Sequence, residues 1–232
     1  MGPTVAVDMT YEQVRANIIT LAAPVFAACK QQTQAGTLAN LPKDPLIPPA
    51  SYWTKYINQV NEHIERAYND YRKLGLHQSQ SLHVLDIGSG AGYFAYICSQ
   101  RHKVLTIDDG EVFFYKQMIN TLGLDQLIRH VQAYQPLLLP IGFIETFDLI
   151  TAFHVCFDLG PSFATIPDNV WKESEWDYFI TDLLQYVRLG GRIHFDLLRK
   201  QSGWCMSPEV FTLLSSKYKV TLQNTILQLR KG

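Results

Sequence analysis

Residues 83–94 are His-Val-Leu-Asp-Ile-Gly-Ser-Gly-Ala-Gly-Tyr-Phe, and this stretch is the strongest indication of the fold class in the sequence. The apolar run that ends at Ile87 is typical of a buried strand, and a helix is predicted from Tyr93 onward. Glycines occupy three alternate positions between the two, where they allow a tight turn and let a ligand approach the backbone. In an open α/β sheet, such a turn lies in the crevice beyond the carboxyl ends of the strands, where ligands bind.

Beyond this stretch, short apolar runs alternate with helical patterns as far as the end of the chain. The predicted strands are 83–87, 103–107, 128–131, 147–153, 192–197, 220–223 and 226–229, and the predicted helices are 93–100, 111–122, 176–187 and 208–216. Alternation of this kind predicts βαβ units and a parallel sheet. The last two strands are so close in sequence that we expect them to be antiparallel neighbours.

Before residue 80 the pattern predicts two long helices joined by a proline-rich connector at 41–50. Thr10 or Asp8 can cap the first helix, which Pro24 is expected to kink or shorten. Gly75 can end the second helix, which opens at Ser51. The predicted apolar stripes are Val14, Ile18, Leu21 and Val25 in the first helix, and Trp53, Ile57, Val60, Ile64, Ala67, Tyr71 and Leu74 in the second. We therefore predict an N-terminal helical extension or lid at 1–80 and an α/β domain at 81–232.

The composition is that of a globular protein. The chain has 232 residues, of which 47% are hydrophobic, and its 20 basic and 21 acidic residues give a net charge of −1. This balance argues against a disordered chain and against an electrostatic nucleic-acid binder. No apolar run approaches the length of a membrane span, and the start of the chain does not resemble a signal peptide. The four cysteines are scattered without a CxxC pair, so we expect a cytoplasmic protein without disulfides or a zinc site.

Acidic residues near the glycine turn indicate the kind of ligand. Asp108 ends the second predicted strand twenty residues after Gly88, followed by Asp109. A carboxylate at this distance can accept hydrogen bonds from both hydroxyls of a ribose. Asp86 would sit poorly beside a pyrophosphate, and Tyr93 occupies the place of the third glycine of a dinucleotide fingerprint. A nucleoside cofactor with positive charge, such as S-adenosylmethionine, therefore fits better than NAD.

Four motifs in this order resemble the class I S-adenosylmethionine-dependent methyltransferases. They are the D-x-G-x-G-x-G loop at 86–92, Asp108, the fourth strand Phe-Asp-Leu-Ile-Thr-Ala-Phe-His at 147–154, and the Leu-Gly-Gly-Arg-Ile turn at 189–193, which lacks the family's usual proline. The resemblance implies a Rossmann-like three-layer αβα sandwich. Its seven-stranded sheet would be mostly parallel, with an antiparallel last strand.

The same resemblance implies the cofactor contacts. They would come from Asp86, Gly88, Ser89, Gly90, Gly92, Asp108, Asp109 and Phe153. Many members of the family place an acid after the third strand to bind adenine, but the segment 131–135 here has no carboxylate. We expect Gln132 or Tyr134, or a backbone group, to take its place.

The methyl acceptor would bind at the end of the fourth strand. His154 lies there and is a candidate general base, although it could instead bind the methionine end of the cofactor. Asp158 could orient His154 or bind a cationic acceptor. We predict that the walls of the acceptor pocket are formed by Phe157 and Trp171 and by Tyr52 in the N-terminal helices. The alternative is that these residues pack in the core.

Charge narrows the class of acceptor. No lysine or arginine occurs from His130 to Val170. Because a phosphorylated acceptor would be expected to meet cations there, the sequence favours a small, partly apolar metabolite methylated at O or N over nucleic acid. We expect a monomer or homodimer without a metal site or a membrane partner. The alternatives are a non-catalytic, cofactor-binding regulator of the same fold and a NAD-type Rossmann oxidoreductase.

Overall fold

A computed structural model describes residues 8–34, 51–108, 113–128, 131–155, 157, 170–197, 206–223 and 226–232, without the side chains of 32–34, 51–53, 113, 141 and 222. The helices are α1 (Tyr11–Gln34), α2 (Ser51–Asn58), α3 (Val60–Lys73), α4 (Tyr93–Ser99), α5 (Phe113–Thr121), α6 (Glu173–Leu184) and α7 (Pro208–Tyr218). The strands are β1 (His83–Ile87), β2 (Lys103–Asp108), β3 (Asp125–Ile128), β4 (Phe147–Val155), β5 (Val187–Leu197), β6 (Thr221–Gln223) and β7 (Ile226–Arg230).

The chain forms two compact units and passes from one to the other five times along the sequence. The first unit comprises Met1–Leu82, Ser89–Thr106 and Gly110–Leu127, and the second comprises His83–Gly88, Ile107–Asp109 and Ile128–Gly232. The strand β2 therefore begins in the first unit and ends in the second.

The second unit contains most of the sheet. Its strands follow in the order β2, β1, β4, β5, β7 and β6. The strand β4 runs parallel to β1 and β5, whereas β7 is antiparallel to both β5 and β6. The prediction of an α/β, Rossmann-like, mostly parallel sheet that ends in antiparallel strands is confirmed. The three-layer arrangement and the domain boundary at residue 80 stay predictions.

The core of the second unit is rich in aromatic residues. Apolar side chains on β5 and β7 pair across the antiparallel register, as Phe195 does with Leu227. Phe195 also stacks against Phe179 of α6, with ring centroids 6.2 Å apart. Ser207 caps α7 by accepting a hydrogen bond from the Val210 backbone N–H. Helix α6 therefore packs against the apolar face of these strands.

In the first unit, α1 begins at the predicted cap. The Thr10 hydroxyl accepts a hydrogen bond from the Gln13 backbone N–H at 3.3 Å, and the Gln13 side chain accepts one from the Thr10 N–H at 2.9 Å. The prediction that Leu21 is buried was wrong, because Leu21 is 39% exposed and Ala22 takes its place in the stripe. The helix continues through Pro24 as far as Gln34, so the proline does not shorten it.

The second predicted helix is divided in two. Gln59 interrupts it between α2 and α3, a break that the continuous apolar seam did not indicate. Gly75 follows α3 with φ +71°, and its N–H donates to the Arg72 carbonyl, which confirms its predicted role at the helix end.

Three element boundaries in the α/β region also differ from prediction. The strand β3 lies at Asp125–Ile128 rather than 128–131, and the Thr106 hydroxyl of β2 donates to the Asp125 carbonyl at 2.9 Å. The helix α6 begins and ends three residues early, so β5 starts at Val187, which pairs with Phe147 of β4. Strand pairing, which local periodicity does not encode, decides these boundaries.

Candidate functional site

Asp86 of β1 is the most deeply buried acid of the predicted site. It is 2% exposed and lies opposite Thr151 of β4 in the parallel register. The Thr151 hydroxyl donates a hydrogen bond to the Asp86 carboxylate at 2.8 Å. Burial nevertheless raises the pKa of Asp86 to about 7, because the Thr151 bond only partly offsets the loss of hydration. Small changes of pH or of the charge nearby therefore alter the ionisation of this carboxyl near neutral pH.

Gly88 follows the last residue of β1 and is closely packed against β2 and β4. Its N–H donates to the Ile107 carbonyl of β2 at 2.8 Å, so the carboxyl ends of the two strands lie side by side. Its φ is +68°, and a Cβ built there would lie 2.6 Å from Cγ2 of Val155. Only glycine fits this position. Asp108, next to Ile107 and 7% exposed, ends β2 at this same edge of the sheet.

His154 occupies a β-bulge at the end of β4. The β4–β5 register shifts between Phe153 and Val155, and His154 between them has φ +56° with an exposed side chain. A bulge of this kind re-aims a side chain. A left-handed backbone costs a non-glycine residue on the order of 1–3 kcal/mol, and such strain concentrates at functional sites.

The remainder of the glycine loop belongs to the first unit. The Gly92 N–H donates to the Ser89 carbonyl at 2.9 Å and closes the turn before α4. A Cβ at Gly92, where φ is +75°, would lie 2.6 Å from Cδ1 of Ile119. The Ser89 hydroxyl is buried and has no hydrogen-bond partner in the structure. Because buried polar atoms are nearly always satisfied, this hydroxyl points to a ligand or water at the loop.

Tyr56 brings the N-terminal helices to the glycine loop within the first unit. Its hydroxyl lies 3.7 Å from the position of a Cβ at Gly90, and its backbone carbonyl accepts a hydrogen bond from the Tyr93 hydroxyl. The ring of Tyr115 in α5 meets Tyr56 edge-on, with centroids 5.5 Å apart. Burial raises the pKa of Tyr93 well above its ordinary value, so this phenol stays protonated and remains a donor.

Two residues predicted to contact adenine lie on the surface of the second unit. Gln132 is exposed, and Tyr134 is 53% exposed with φ +58°. The Tyr134 hydroxyl lies 2.5 Å from the Ser174 hydroxyl, and its ring packs edge-on against Tyr178, both in α6. These contacts attach Tyr134 to α6, and a role toward adenine stays a prediction for both residues.

The predicted acceptor residues Phe157 and Trp171 are fully buried. They are 3% and 1% exposed, and their rings lie 5.0 Å apart. The other rings of this cluster are Trp176, Phe179 and Phe195. Burial among aromatic rings favours the packing role for both residues. Their role as pocket walls stays a prediction.

Some predicted residues lie outside the described parts of the chain. This is so for Asp109, Asp158 and the side chain of Tyr52. Phe153 is described, is half-buried, and has its ring 5.7 Å from that of His194.

Sequence reasoning missed two residues that shape this site. Thr151 interrupts an otherwise apolar run in β4, and a polar residue in a buried strand indicates a hydrogen-bond partner in the core. Nothing in the local sequence indicates a role for Val155. Its contact with Gly88 depends on how β1 and β4 pair, which the local pattern does not specify.

Neither a metal site nor a membrane span is present in the described ranges. No three His, Cys, Asp or Glu side chains in that part of the chain converge as a metal ion would require. None of its helices is long and apolar enough to cross a bilayer.

Comparison with known proteins found similarity only among solved structures. No protein-family model and no curated protein matches the chain. The N-methyltransferase NodS from Bradyrhizobium japonicum is 13% identical, with a TM-score of 0.47 over 72% of this chain and 96% of that one. The 1,6-didemethyltoxoflavin methyltransferase from Burkholderia thailandensis, whose structure contains S-adenosylhomocysteine, is 15% identical, with a TM-score of 0.47 over 78% and 86%.

A third similar structure is a T. thermophilus 16S rRNA methyltransferase in complex with AdoMet and guanosine. It is 16% identical, with a TM-score of 0.45 over 73% of this chain and 42% of that one. All three of these structures are methyltransferases. At this level of identity the likeness assigns no activity to the chain.

Proposed function

We propose that the chain is an S-adenosylmethionine-dependent methyltransferase. The glycine loop carries this proposal. Gly88 leaves no room for a side chain beside Val155, and the Ser89 hydroxyl is buried without a hydrogen-bond partner. A backbone without side chains next to an unsatisfied donor fits a nucleoside ligand that approaches closely.

Each acid has a distinct role in this proposal. Asp108, at the end of β2, accepts hydrogen bonds from the ribose hydroxyls. Asp86 stabilises positive charge, because a nearby cation would ionise a carboxyl whose pKa is about 7. S-adenosylmethionine would supply an electrophilic methyl group on a sulfonium, and the protein would chiefly position the acceptor for in-line attack. Further cofactor contacts are proposed for Gly90, Gly92, Asp109, Gln132, Tyr134 and Phe153.

The acceptor is proposed to be a small, partly apolar metabolite methylated at O or N. The absence of lysine and arginine from His130 to Val170 in the sequence supports this choice. His154 is the proposed general base. Its strained backbone in the bulge of β4 supports this role. The N-terminal helices are proposed to lie beside the ligand at the glycine loop, because the Tyr56 hydroxyl is 3.7 Å from the position of a Cβ at Gly90. A cytoplasmic location and a monomeric or homodimeric state stay predictions.

Calorimetric titration with S-adenosylhomocysteine and with NADH tests the cofactor. We expect saturable binding of the first and none of the second. Asp108→Ala should weaken binding by about 1–3 kcal/mol, the usual contribution of hydrogen bonds to a charged group. The control is Asp125→Ala, which removes an exposed carboxylate from β3. Binding of NADH alone would favour an oxidoreductase. Cofactor binding without methyl transfer to any fraction of a metabolite extract would favour a regulator.

His154→Gly separates the proposed role of the histidine from its effect on stability. Glycine adopts φ +56° without strain, so the unfolding free energy should rise by up to about 1 kcal/mol. The rate of methyl transfer should nevertheless fall by about 10²–10⁴-fold if the imidazole removes a proton. Urea unfolding and a labelled-methyl assay measure the two effects. A more stable variant with undiminished turnover would remove His154 from catalysis.

A further inference from the structure

The strands β5, β7 and β6 have two chemically different faces. On one face, Ile193 pairs with Leu229 and Phe195 pairs with Leu227, and all four side chains are buried. Because side chains alternate along a strand, the intervening residues point to the opposite face. The residues that the register places on that face include Arg192, His194, Asp196, Thr221, Gln223, Ile226, Gln228 and Arg230. The same strands therefore combine a core face with a charged one.

A cavity opens on the charged face. Its volume is about 210 Å³, and its polar lining consists of Arg192, His194, Lys219, Thr221, Gln228 and Arg230. It is smaller than the roughly 300–1,000 Å³ typical of pockets for drug-sized ligands. The cavity therefore suits a small ion or a compact head group rather than an extended molecule.

Two arginine side chains from neighbouring strands line the cavity. Arg192 of β5 and Arg230 of β7 are direct partners in the antiparallel register, where Cβ atoms lie about 4.5–5.5 Å apart. Like charges in this relation destabilise a sheet. Burial, and then the charge of Arg230, lower the pKa of Arg192 below its ordinary value. An anion between the two groups would relieve this repulsion.

His194 adds a hydrogen-bond donor without adding charge. It is 7% exposed, and burial together with the charge of Arg192 lowers its pKa to about 4, although the charge of Asp196 opposes this. The imidazole is therefore neutral at neutral pH. The amide nitrogen of Gln228 lies 3.0 Å from Nδ1 of His194. When Gln228 donates to Nδ1, the ring proton is on Nε2, which becomes a donor.

We propose that this cavity binds a small dianionic oxyanion, namely the phosphate group of a phosphomonoester or free phosphate. The planar forks of Arg192 and Arg230 can each donate two parallel hydrogen bonds to such a group, and Lys219 adds a third positive charge. Asp196 lies on the same face of the sheet, and no acidic residue is among the described residues that line the cavity. Three basic side chains in the lining match a dianion better than a single carboxylate ligand. This proposal does not depend on the proposed methyltransferase activity.

The test is a calorimetric titration of the full chain at constant ionic strength. The probes are inorganic phosphate, glycerol phosphate and acetate. We expect both phosphates to bind saturably and at least tenfold more tightly than acetate. Stronger binding of glycerol phosphate than of phosphate would identify a phosphorylated small molecule as the source, and the reverse would identify the free ion. Equal affinity for acetate and phosphate would overturn the proposal.

Arg230→Gln provides the matched variant. Arg230 is exposed, so its replacement leaves the core intact, and it removes the like-charge pair. The melting temperature without phosphate should stay unchanged or rise, while the rise caused by phosphate should be lost and phosphate affinity should fall at least tenfold. Lys116→Gln, which removes an exposed charge from α5, should behave as wild type. Unchanged phosphate binding by Arg230→Gln would contradict the proposal, as would tighter binding of an RNA oligonucleotide than of either phosphate.

Discussion

Gly88→Ala is expected to destabilise the protein by about 2–5 kcal/mol and to abolish binding of S-adenosylhomocysteine. The new Cβ would lie 2.6 Å from Cγ2 of Val155, which is β-branched and cannot rotate away easily. Overpacking of this kind costs about 1–3 kcal/mol. The left-handed backbone at φ +68° adds roughly 1–2 kcal/mol for a residue with a Cβ. Urea unfolding measures the sum.

Gly75→Ala separates the backbone strain from the steric contact. Gly75 has a φ of +71°, but a Cβ there would have open space around it. Its replacement should therefore cost only the backbone contribution of roughly 1–2 kcal/mol. Adding Val155→Ala to Gly88→Ala should relieve the contact and restore part of the lost stability. Equal losses for Gly75→Ala and Gly88→Ala would show that the contact with Val155 carries no energy.

The sequence predicted best where one local interaction determines the structure. Thr10 caps α1, and Gly75 follows α3 in the left-handed conformation. Each of these depends on residues within one helical turn. The alternation of apolar runs with helical patterns likewise predicts the class of the sheet without any information on strand pairing.

Prediction failed where distant segments decide the outcome. The apolar seam of the N-terminal region continues across Gln59, yet the helix breaks there. The strand β3 lies three residues earlier than its pattern indicated, alongside Thr106. The bulge at His154 depends on the register between β4 and β5, so no property of β4 alone could have predicted its left-handed backbone.

Asp86, the buried acid of β1, shows within the candidate site that distant segments set properties that the local sequence does not predict. Its position before the glycines identified Asp86 as a residue of interest. Its bond to Thr151 and its burial, which set its pKa, come from β4 and the surrounding core. The sequence therefore identified Asp86 as a residue of the candidate site, whereas the packing around Asp86 determines its pKa.

Asp86→Asn is expected to remove most of a pH dependence of stability between about pH 4 and 7. Burial raises the pKa of Asp86 from 3.8 in the unfolded chain to about 7 in the folded protein. The folded state thus binds this proton more tightly, so the associated stability is fully present below about pH 3.8. It is lost as the pH rises to about 7, because the unfolded chain releases the proton first. At 1.36 kcal/mol per pKa unit, the loss amounts to about 4 kcal/mol.

Unfolding by urea at pH 5 and pH 8 measures this effect. The asparagine keeps an oxygen that can accept the Thr151 hydroxyl bond, so the variant should be more stable than wild type at pH 8, with a smaller advantage at pH 5. The control is Asp125→Asn, whose exposed carboxylate lies on β3 and should leave the pH profile unchanged. Parallel pH profiles for wild type and Asp86→Asn would show that Asp86 titrates near its ordinary pKa.

Asp86→Asn also tests whether Asp86 interacts with the proposed cofactor. A positively charged ligand near Asp86 favours the ionised carboxylate, so S-adenosylmethionine should release up to one proton per protein molecule when it binds near pH 6. Calorimetry in two buffers of different ionisation enthalpy detects this proton. Asp86→Asn should bind the cofactor more weakly and without that release. If Asp86→Asn still released the full proton, that proton would come from another group. Asp86 would then have only its structural bond to Thr151.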